Sequence, residues 1–483
     1  MQTRRDLYQA HKLMTQRLGM ALLQGEPDVP ESPMRRQNVA TFCGILVAVL
    51  VAVAFGVYGL LRPGGATALT EPGTVIVEEE SGATFVYSAT RGQMIPVANV
   101  TSARLLLGGG QGVKVRTVTT ASLASFPRGL LVGIPGAPES LPPRERLVRA
   151  PWSACVVEGV DTAGTRTPHT SLVGGFSVGG TPLGQDTAMV VQEGSQTWLL
   201  WSDRRMRVPQ KSLRALTEEQ PRQVPAAWLN ALPIGPDFSA PALAARGRVM
   251  RGPEGGRSAA GRIYTVRATS GDTSGDTSGD TAKWYVLLPD GLAALTPAQA
   301  ELLLQDPASK RAYGRAPVRA VEIDAATANG MRRSATRFDP AGLPATMPRV
   351  VAPDPASPVC AVYAETERGS TRARLTVGST MRIPAPPAGR FDQDSVDQVV
   401  LPPGTASLVG VLPGNDRLDA VTSVFLVSDQ GRRHAITATE SLASLGYTAA
   451  DVAPLPAHIV HLIPQGPALS RTAAAVPVPV GQP

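Results

Sequence analysis

Glycine, lysine, serine, histidine and paired carboxylates all fall in this sequence at spacings that could do chemistry. Gly108-Gly109-Gly110-Gln111-Gly112-Val113-Lys114-Val115 has the glycines and the lysine of a phosphate-cradling loop. A P-loop ends in Gly-Lys-Ser/Thr, which places the lysine on the β/γ phosphates and a hydroxyl on Mg²⁺. Here valine flanks the lysine on both sides, so the run reads as a plain loop following a helix. Gly175-Phe176-Ser177-Val178-Gly179 satisfies G-x-S-x-G, yet a nucleophile elbow needs a helix after its serine. Gly180-Thr181-Pro182-Leu183-Gly184 cannot begin one cleanly, and 5 His in the whole chain leave few partners, so a β-turn is expected. His458-Ile459-Val460-His461 would put two metal ligands on one helix face. The β-branched run behind Pro454 and Pro456 reads instead as a strand, which sends the two imidazoles to opposite faces. Glu78-Glu79-Glu80 and Glu218-Glu219 read as solvated turns without the aromatic platform of a glycosidase. The residues therefore nominate no catalytic group, cofactor site or metal site.

The elements that would have to position such groups start from one stretch. Ala40 to Leu61, ATFCGILVAVLVAVAFGVYGLL, carries no charge. At about 1.5 Å per residue it can cross a hydrocarbon core of roughly 30 Å as one helix. It begins too far from the N-terminus, and is too long, for a cleaved signal peptide. Arg4, Arg5, Lys12, Arg17, Arg35 and Arg36 precede it, while Arg62 stands alone after it until Arg91. Positive charge marks the cytoplasmic side, so the expectation is a single-pass protein of the cell membrane, N-terminus inside and body outside. Before the span, Leu7, Tyr8, His11, Met14, Leu18, Ala21 and Leu22 recur at three- and four-residue steps, an amphipathic helix ending near Gly25. Its apolar face calls for lipid headgroups or, preferably, a neighbouring subunit.

The body is long enough for two or three domains, and 48 Gly and 44 Pro favour short strands and turns over a helical bundle. Residues 1–62 hold seven of the 46 Lys/Arg and four of the 39 Asp/Glu, which leaves the body at 39 against 35, a mild +4. No basic run is interleaved with aromatics, which argues against nucleic acid. Cys43 lies in the span; Cys155 and Cys360, both in the body, are most simply one disulfide in an oxidising compartment, with two separate buried thiols as the alternative. Four stretches share an order of strand, turn and Ala/Leu-rich helix: Thr84 to Gly108, Thr197 to Leu216, Lys283 to Leu304 and Thr422 to Gly446. Pro209-Gln210-Lys211, Thr296-Pro297 and Thr437 to Glu440 supply helix starts in the later three. Cys155 to Val191 and Val318 to Tyr363 are the expected central β-rich domain. Ser270 to Thr281, SGDTSGDTSGDT, reads as a polar loop insertion, and the stretch after about Ser470 as a flexible Pro-rich tail.

Ala10 to Pro27, AHKLMTQRLGMALLQGEP, then Pro33-Met34-Arg35-Arg36, then the span's exit GVYGLLRPGG, resemble the N-terminus of the EccB family, a core membrane component of actinobacterial type VII (ESX) secretion systems. The match departs from the family pattern only in the linker, where the Gly-Asp step appears as Gly25-Glu26 and the Asp-Pro-x-Arg step as Ser32-Pro33-Met34-Arg35. The resemblance implies an α+β protein: a cytoplasmic helix and linker (1–39), a transmembrane helix (40–61), an elongated extracytoplasmic body of four short β/α repeats paired around a β-rich centre (66–470), and the tail (471–483). It implies a structural, membrane-anchored subunit that scaffolds the outer side of the secretion machinery. The implied partners are the FtsK/SpoIIIE-like ATPase EccC, EccD, EccE, the mycosin protease and further copies of itself. It also brings an ATPase label, for which the residues offer no nucleotide site. An extracytoplasmic ATPase or hydrolase, or an anchored cell-wall-binding module, are the alternatives.

Overall fold

The computed structural model describes residues 4–24, 33–61, 69–108, 112–160, 164–213, 216, 220–266, 282–338, 342–386 and 394–479. The SGDT insertion, Gly109 to Gln111, Glu218-Glu219 and the Gly25–Glu26 step lie outside those residues. Two helices come first. Arg4–Gln24 is the expected amphipathic helix. The second runs Pro33–Leu61, so it starts seven residues before the apolar stretch. Pro33 falls inside the linker expected up to residue 39; it opens the helix instead, where its missing N–H costs nothing.

The body is a set of small sheets. Four of them share one strand order, in which three antiparallel strands form a meander and a fourth lies parallel to the first on its other side. In the first sheet Thr74–Glu78, Thr84–Ser88 and Gln93–Val97 form the meander, the helix Val100–Leu107 crosses over, and Lys114–Val118 pairs with Thr74–Glu78. The second uses Thr187–Glu193, Gln196–Trp201, Arg204–Val208, the short helix Gln210–Leu213 and Arg222–Gln223. The third uses Ile263–Val266, Lys283–Leu288, Gly291–Leu295, the helix Pro297–Gln305 and Val321–Glu322. The fourth uses Ala406–Leu412, Val424–Ser428, Arg433–Ile436, the helix Thr439–Ser444 and Ala453–Pro456.

Each of the four stretches picked out in the sequence is thus a hairpin plus a helix, and the unit is larger than that. It gains a strand before the hairpin, a strand after the helix, then a second short helix. A last segment returns to bridge the third strand, at Met94–Arg128, Arg205–Ile234, Leu292–Arg333 and Arg433–Gln465. Gly291 shows why the third return needs a glycine. Its φ is 145°, and a Cβ there would stand 2.1 Å from the Arg332 carbonyl oxygen. Asp290 beside it accepts hydrogen bonds from Ser334 Oγ (2.8 Å) and the Ala335 amide (2.9 Å), which fixes the return segment.

Helix starts follow the sequence in part. Thr296 forms the full capping box with Gln299, and Pro297 is the first helical residue. The Thr437–Glu440 box does not form: the cap is Ala438, extended at φ −148°, and the helix starts at Thr439. His458 and His461 are on a helix, Ala457–Leu462, and not on a strand. This is the second short helix of the unit, matching Thr120–Leu123, Ala226–Asn230 and Ala325–Gly330. Pro456 sits at its N-cap as Pro225 does at Ala226–Asn230, and the surrounding core outweighs the β propensity of Ile459 and Val460.

A six-stranded sheet, made of Trp152–Val160, Arg166–Gly174, Thr181–Pro182, Val359–Tyr363, Arg374–Val377 and Gln398–Val400, is the one separate from those four that carries a large core. Only the end of the Val318 to Tyr363 stretch joins it. Val321–Glu322 belongs to the third sheet, and Arg349–Val350 pairs with Thr187 and Ala188. Trp152, Ala154, Val156, Ala361 and Tyr363 from this sheet share a core with Trp228 and Ile459 of two of the short helices.

The other cores pair the units. Leu105 of the first packs with Leu408, Leu426, Leu442 and Leu445 of the fourth. Leu302 of the third packs with Leu199, Met206 and Val208 of the second. Burying a leucine this way contributes about 1.5–3 kcal/mol, and neither face could be covered by its own four strands alone. Residues 471–479 are built into the body, where a flexible tail was expected. Arg471–Ala474 is a helix capped by Ser470, Ala474 is fully buried, and Val476 and Val478 bond the main chain at Gly133 and Leu131 of the first unit. Alanine and valine alternating with proline satisfied those bonds on an edge, where proline's missing donor is tolerated.

Candidate functional site

Lys114 opens the parallel strand of the first sheet, and its Nζ lies 3.5 Å from a Glu71 carboxylate oxygen at the surface. The glycine run joins the C-terminal end of the Val100–Leu107 helix to that strand. A phosphate loop runs the other way, from strand into a helix N-terminus, where free N–H groups face the anion. Ser177 is exposed and stands between strands Arg166–Gly174 and Thr181–Pro182, with no helix after it. His458 and His461 look in different directions. His458 Nε2 is 2.8 Å from the Tyr363 hydroxyl, while His461 Nδ1 is 3.4 Å from an Arg433 guanidinium nitrogen at the surface. Among the described residues no group of three or more His, Cys, Asp or Glu is placed to hold a metal ion. Glu79 and Glu80 are solvated as expected, but Glu78 is not: it ends a buried strand and is 5% exposed. The Ser81 hydroxyl donates to its carboxylate and Arg128 lies 3.4 Å away, which together hold its carboxyl below the usual range.

The residues that the fold does bring together are joints. Cys155 and Cys360 stand directly opposite on adjacent antiparallel strands, both fully buried, and are disulfide-bonded. Their strands flank the bond with the pairs Ala154–Ala361 and Val156–Val359. Tyr363, three strand positions on from Cys360 and so on the other face, donates its hydroxyl hydrogen to the Ala231 carbonyl and meets His458. Central sheet, second unit and fourth unit therefore converge on one hydroxyl. Burial, with the Arg205 charge nearby, pushes the His458 imidazole down to about 4, so it is neutral at pH 7. The second and third units meet at Asp306, which is 2.8 Å from Arg246 and 3.6 Å from Lys211. Sequence reading named the cysteines but none of Tyr363, Asp306 or Arg205. Tyr363 ends a short apolar strand, Arg205 lies in an arginine-rich one and Asp306 stands between two helices, and none of these places carries a periodic signal.

The remaining surface of note is apolar. Gln37–Tyr58 has a mean hydropathy of 2.6, long and apolar enough to cross a membrane, and its side chains are exposed throughout. Leu7, Tyr8, Met14, Leu18 and Leu22 are likewise exposed along the first helix. A family model described as "Type VII secretion system ESX-1, transport TM domain B" matches residues 1–479. The chain belongs to the EccB family. EccB2 of Mycobacterium tuberculosis, an "ESX-2 secretion system ATPase", is 29% identical over 466 residues, covering 91% of this chain and 88% of that protein. EccB5 of the same species, an "ESX-5 secretion system ATPase", is 28% identical over 500 residues, covering 96% and 92%. A solved periplasmic assembly from the ESX-5 inner membrane complex is similar over 86% of this chain and 99% of the solved chain, with TM-score 0.63 and 25% identity. A chain of an intact ESX-5 inner membrane complex covers all of it at TM-score 0.63 and 24% identity, which speaks for the fold. This EccB chain is thus mixed α/β, with one candidate span near its N-terminus, in a family of ESX membrane-complex components.

Proposed function

We propose that the chain is a structural, membrane-anchored subunit of a type VII secretion complex, scaffolding its extracytoplasmic side. The observation that carries this reading is the join of a bare apolar helix, preceded by a second helix with an unpartnered apolar face, to a large body of linked sheets. In this reading the Arg-rich N-terminus is cytoplasmic, residues 62 onward are extracytoplasmic, and the four sheets with one topology are four copies of a repeat around the disulfide-bearing sheet. The N-terminal helix and the span dock on the other core subunits, with the FtsK/SpoIIIE-like ATPase EccC, EccD and EccE as the candidates. The body meets further copies of itself and the mycosin protease. Energy enters through a partner, and this chain transmits position.

Replacing residues 1–61 by an unrelated single-span anchor is expected to abolish co-purification with those subunits while leaving the body folded. Full retention of the complex would sink the reading. The relatives' ATPase label supports a second reading, an extracytoplasmic ATPase. It predicts turnover by the purified full chain that Lys114→Ala or Ser177→Ala removes; under the scaffold reading turnover is indistinguishable from an empty-vector preparation.

A further inference from the structure

Residues 464–478 form a strap between the fourth unit and the first. Along the fourth sheet the strap lies parallel to Arg433–Ile436. Arg433 donates its amide to the Pro464 carbonyl (2.9 Å), Gly466 donates to Arg433 (2.8 Å) and Leu469 to Ala435 (2.7 Å). Ser470 then caps the Arg471–Ala474 helix, accepting from the Ala473 amide at 3.1 Å. Ala474 enters the core beside Leu105, and Val478 donates to the Leu131 carbonyl at 2.9 Å. The strap is therefore a bond between two units whose sheets do not pair with each other.

One side chain sits beneath it. His434 is fully buried, its Nδ1 3.0 Å from the Pro467 carbonyl oxygen. The ring fills the hollow left by Gly466, where a Cβ would come within 2.4 Å of its Cε1. Nδ1 donates to a carbonyl, so Nε2 carries the lone pair of a neutral imidazole. Nε2 is buried and finds no hydrogen-bond partner among the described residues. A proton placed there would be a buried donor without an acceptor among the described residues, on a charged ring. The charged groups around it do not relieve this. Just before its strand Arg432 raises the cost, and on the strand Arg433 alternates to the other face; the opposing strand presents Leu426, with Asp429 out in the turn; the strap brings Gln465, uncharged, and Arg471 beyond it. Burial is the largest cause and pushes the imidazole below its ordinary value.

We propose that His434 is an acid-operated latch: its neutral ring seats the strap, and its protonation lifts residues 464–478 off the fourth sheet and so removes one of the ties between the fourth unit and the first, beside the direct packing of Leu105 on Leu442 and Leu445. The sign follows from linkage. A histidine depressed in the seated state contributes full stability above its free pKa, near 6.5, and loses it as the pH falls below that. The released strap exposes the ring and lets it take its proton. Unseating removes the capped Arg471–Ala474 helix from the shared core and frees the edge at Gly133 and Leu131, while the meanders of both sheets keep their own pairing.

The test is amide hydrogen exchange on the full chain in detergent at pH 7.5 and 5.0, corrected for chemical exchange. Peptides covering 464–478 are expected to lose protection by about tenfold or more, while peptides covering Lys283–Leu295 of the third sheet hold theirs. His434→Asn keeps a donor for Pro467 but does not titrate, and its strap is expected to stay protected at both pH values. Should that variant not fold, exchange of the His434 ring C2 hydrogen in the unaltered chain decides the matter. Ring protonation and strap release over one pH range support the latch. A strap equally protected at both pH values, loss spread evenly over the control peptides, or release while His434 remains neutral would each overturn it.

Discussion

Replacing Cys155 and Cys360 together by alanine removes the covalent tie of the six-stranded sheet and leaves its strands free to pair. The bonded residues are 205 apart in sequence. By chain entropy, closing a loop of that length withdraws about 5 kcal/mol of freedom from the unfolded chain. The native side changes little, since Ala154–Ala361 and Val156–Val359 hold the register on either side. Alanine is the better probe, because serine would bury an unsatisfied hydroxyl at two fully buried positions. Trp152 and Trp228 lie in the core of this sheet, so tryptophan fluorescence during urea unfolding of the full chain reports on it. With m near 1–3 kcal/mol/M, the midpoint is expected to fall by about 2 M or more. Reductant alone, added before urea, is expected to leave the folded wild type unchanged, because both sulfurs are out of reach of solvent. A double variant unfolding within about 0.5 M of wild type would refute the reasoning, since the tie would then constrain nothing that the strands do not already hold.

Asp306→Asn is expected to cost about 3 kcal/mol, because Arg246 is left half-buried without its counter-charge, a loss readable as a lowered melting temperature. Burial raises the Asp306 carboxyl, but the Arg246 hydrogen bond, the Ala308 amide and the Lys211 charge outweigh it and hold it below the carboxylate range. Its stabilisation is therefore present above about pH 4 and lost as the pH falls through the lowered value; the Asn variant is expected to lose less between pH 7 and pH 3 than wild type. Gly410 lies in the first strand of the fourth sheet, where a Cβ would stand 2.4 Å from Val421 Cγ1 and 2.7 Å from Val452 Cγ1. Gly410→Val is expected to cost about 1–3 kcal/mol by overpacking, measured by urea unfolding, and Val421→Ala should recover part of it in a double-mutant cycle.

What could be read from the sequence was whatever is written locally. The uncharged run up to Leu61, the Thr296-Pro297 start and the two body cysteines each act through their own chemistry, and each appears in the structure as an element or a bond. The first strands of the units were not legible. Thr74–Glu78 ends against three glutamates, which mark a turn more strongly than five residues mark a strand. The third strand of the second unit, Arg204–Val208, RRMRV, reads as charged surface, because it buries Met206 and Val208 and leaves Arg204 and Arg207 outside. The His458 helix is too short for periodicity to distinguish from a strand, and what decides it is its place after the fourth strand of a unit. The joints at Tyr363 and Asp306 were beyond reach for a different reason: their partners are set by how units pair, and nothing local encodes that Tyr363 will meet Ala231 and His458. The strap was misread because proline and small residues look the same in a loose end and in an edge strand.

That strap gives the chain an order of assembly. Ribosomes deliver the first sheet early, and its meander can pair as soon as Val97 has emerged, since units tend to fold as they are made. Yet the segment that covers its Leu131 edge and fills the core beside Leu105 arrives only with Arg471 to Val478. Until then the first unit carries an open edge, the feature by which half-made sheets find wrong neighbours. Finished and unfinished chains therefore differ at a position far from the last residues synthesised. A nascent chain halted before Arg471 would show its incompleteness at the opposite end of its sequence, where a chaperone or protease could read it.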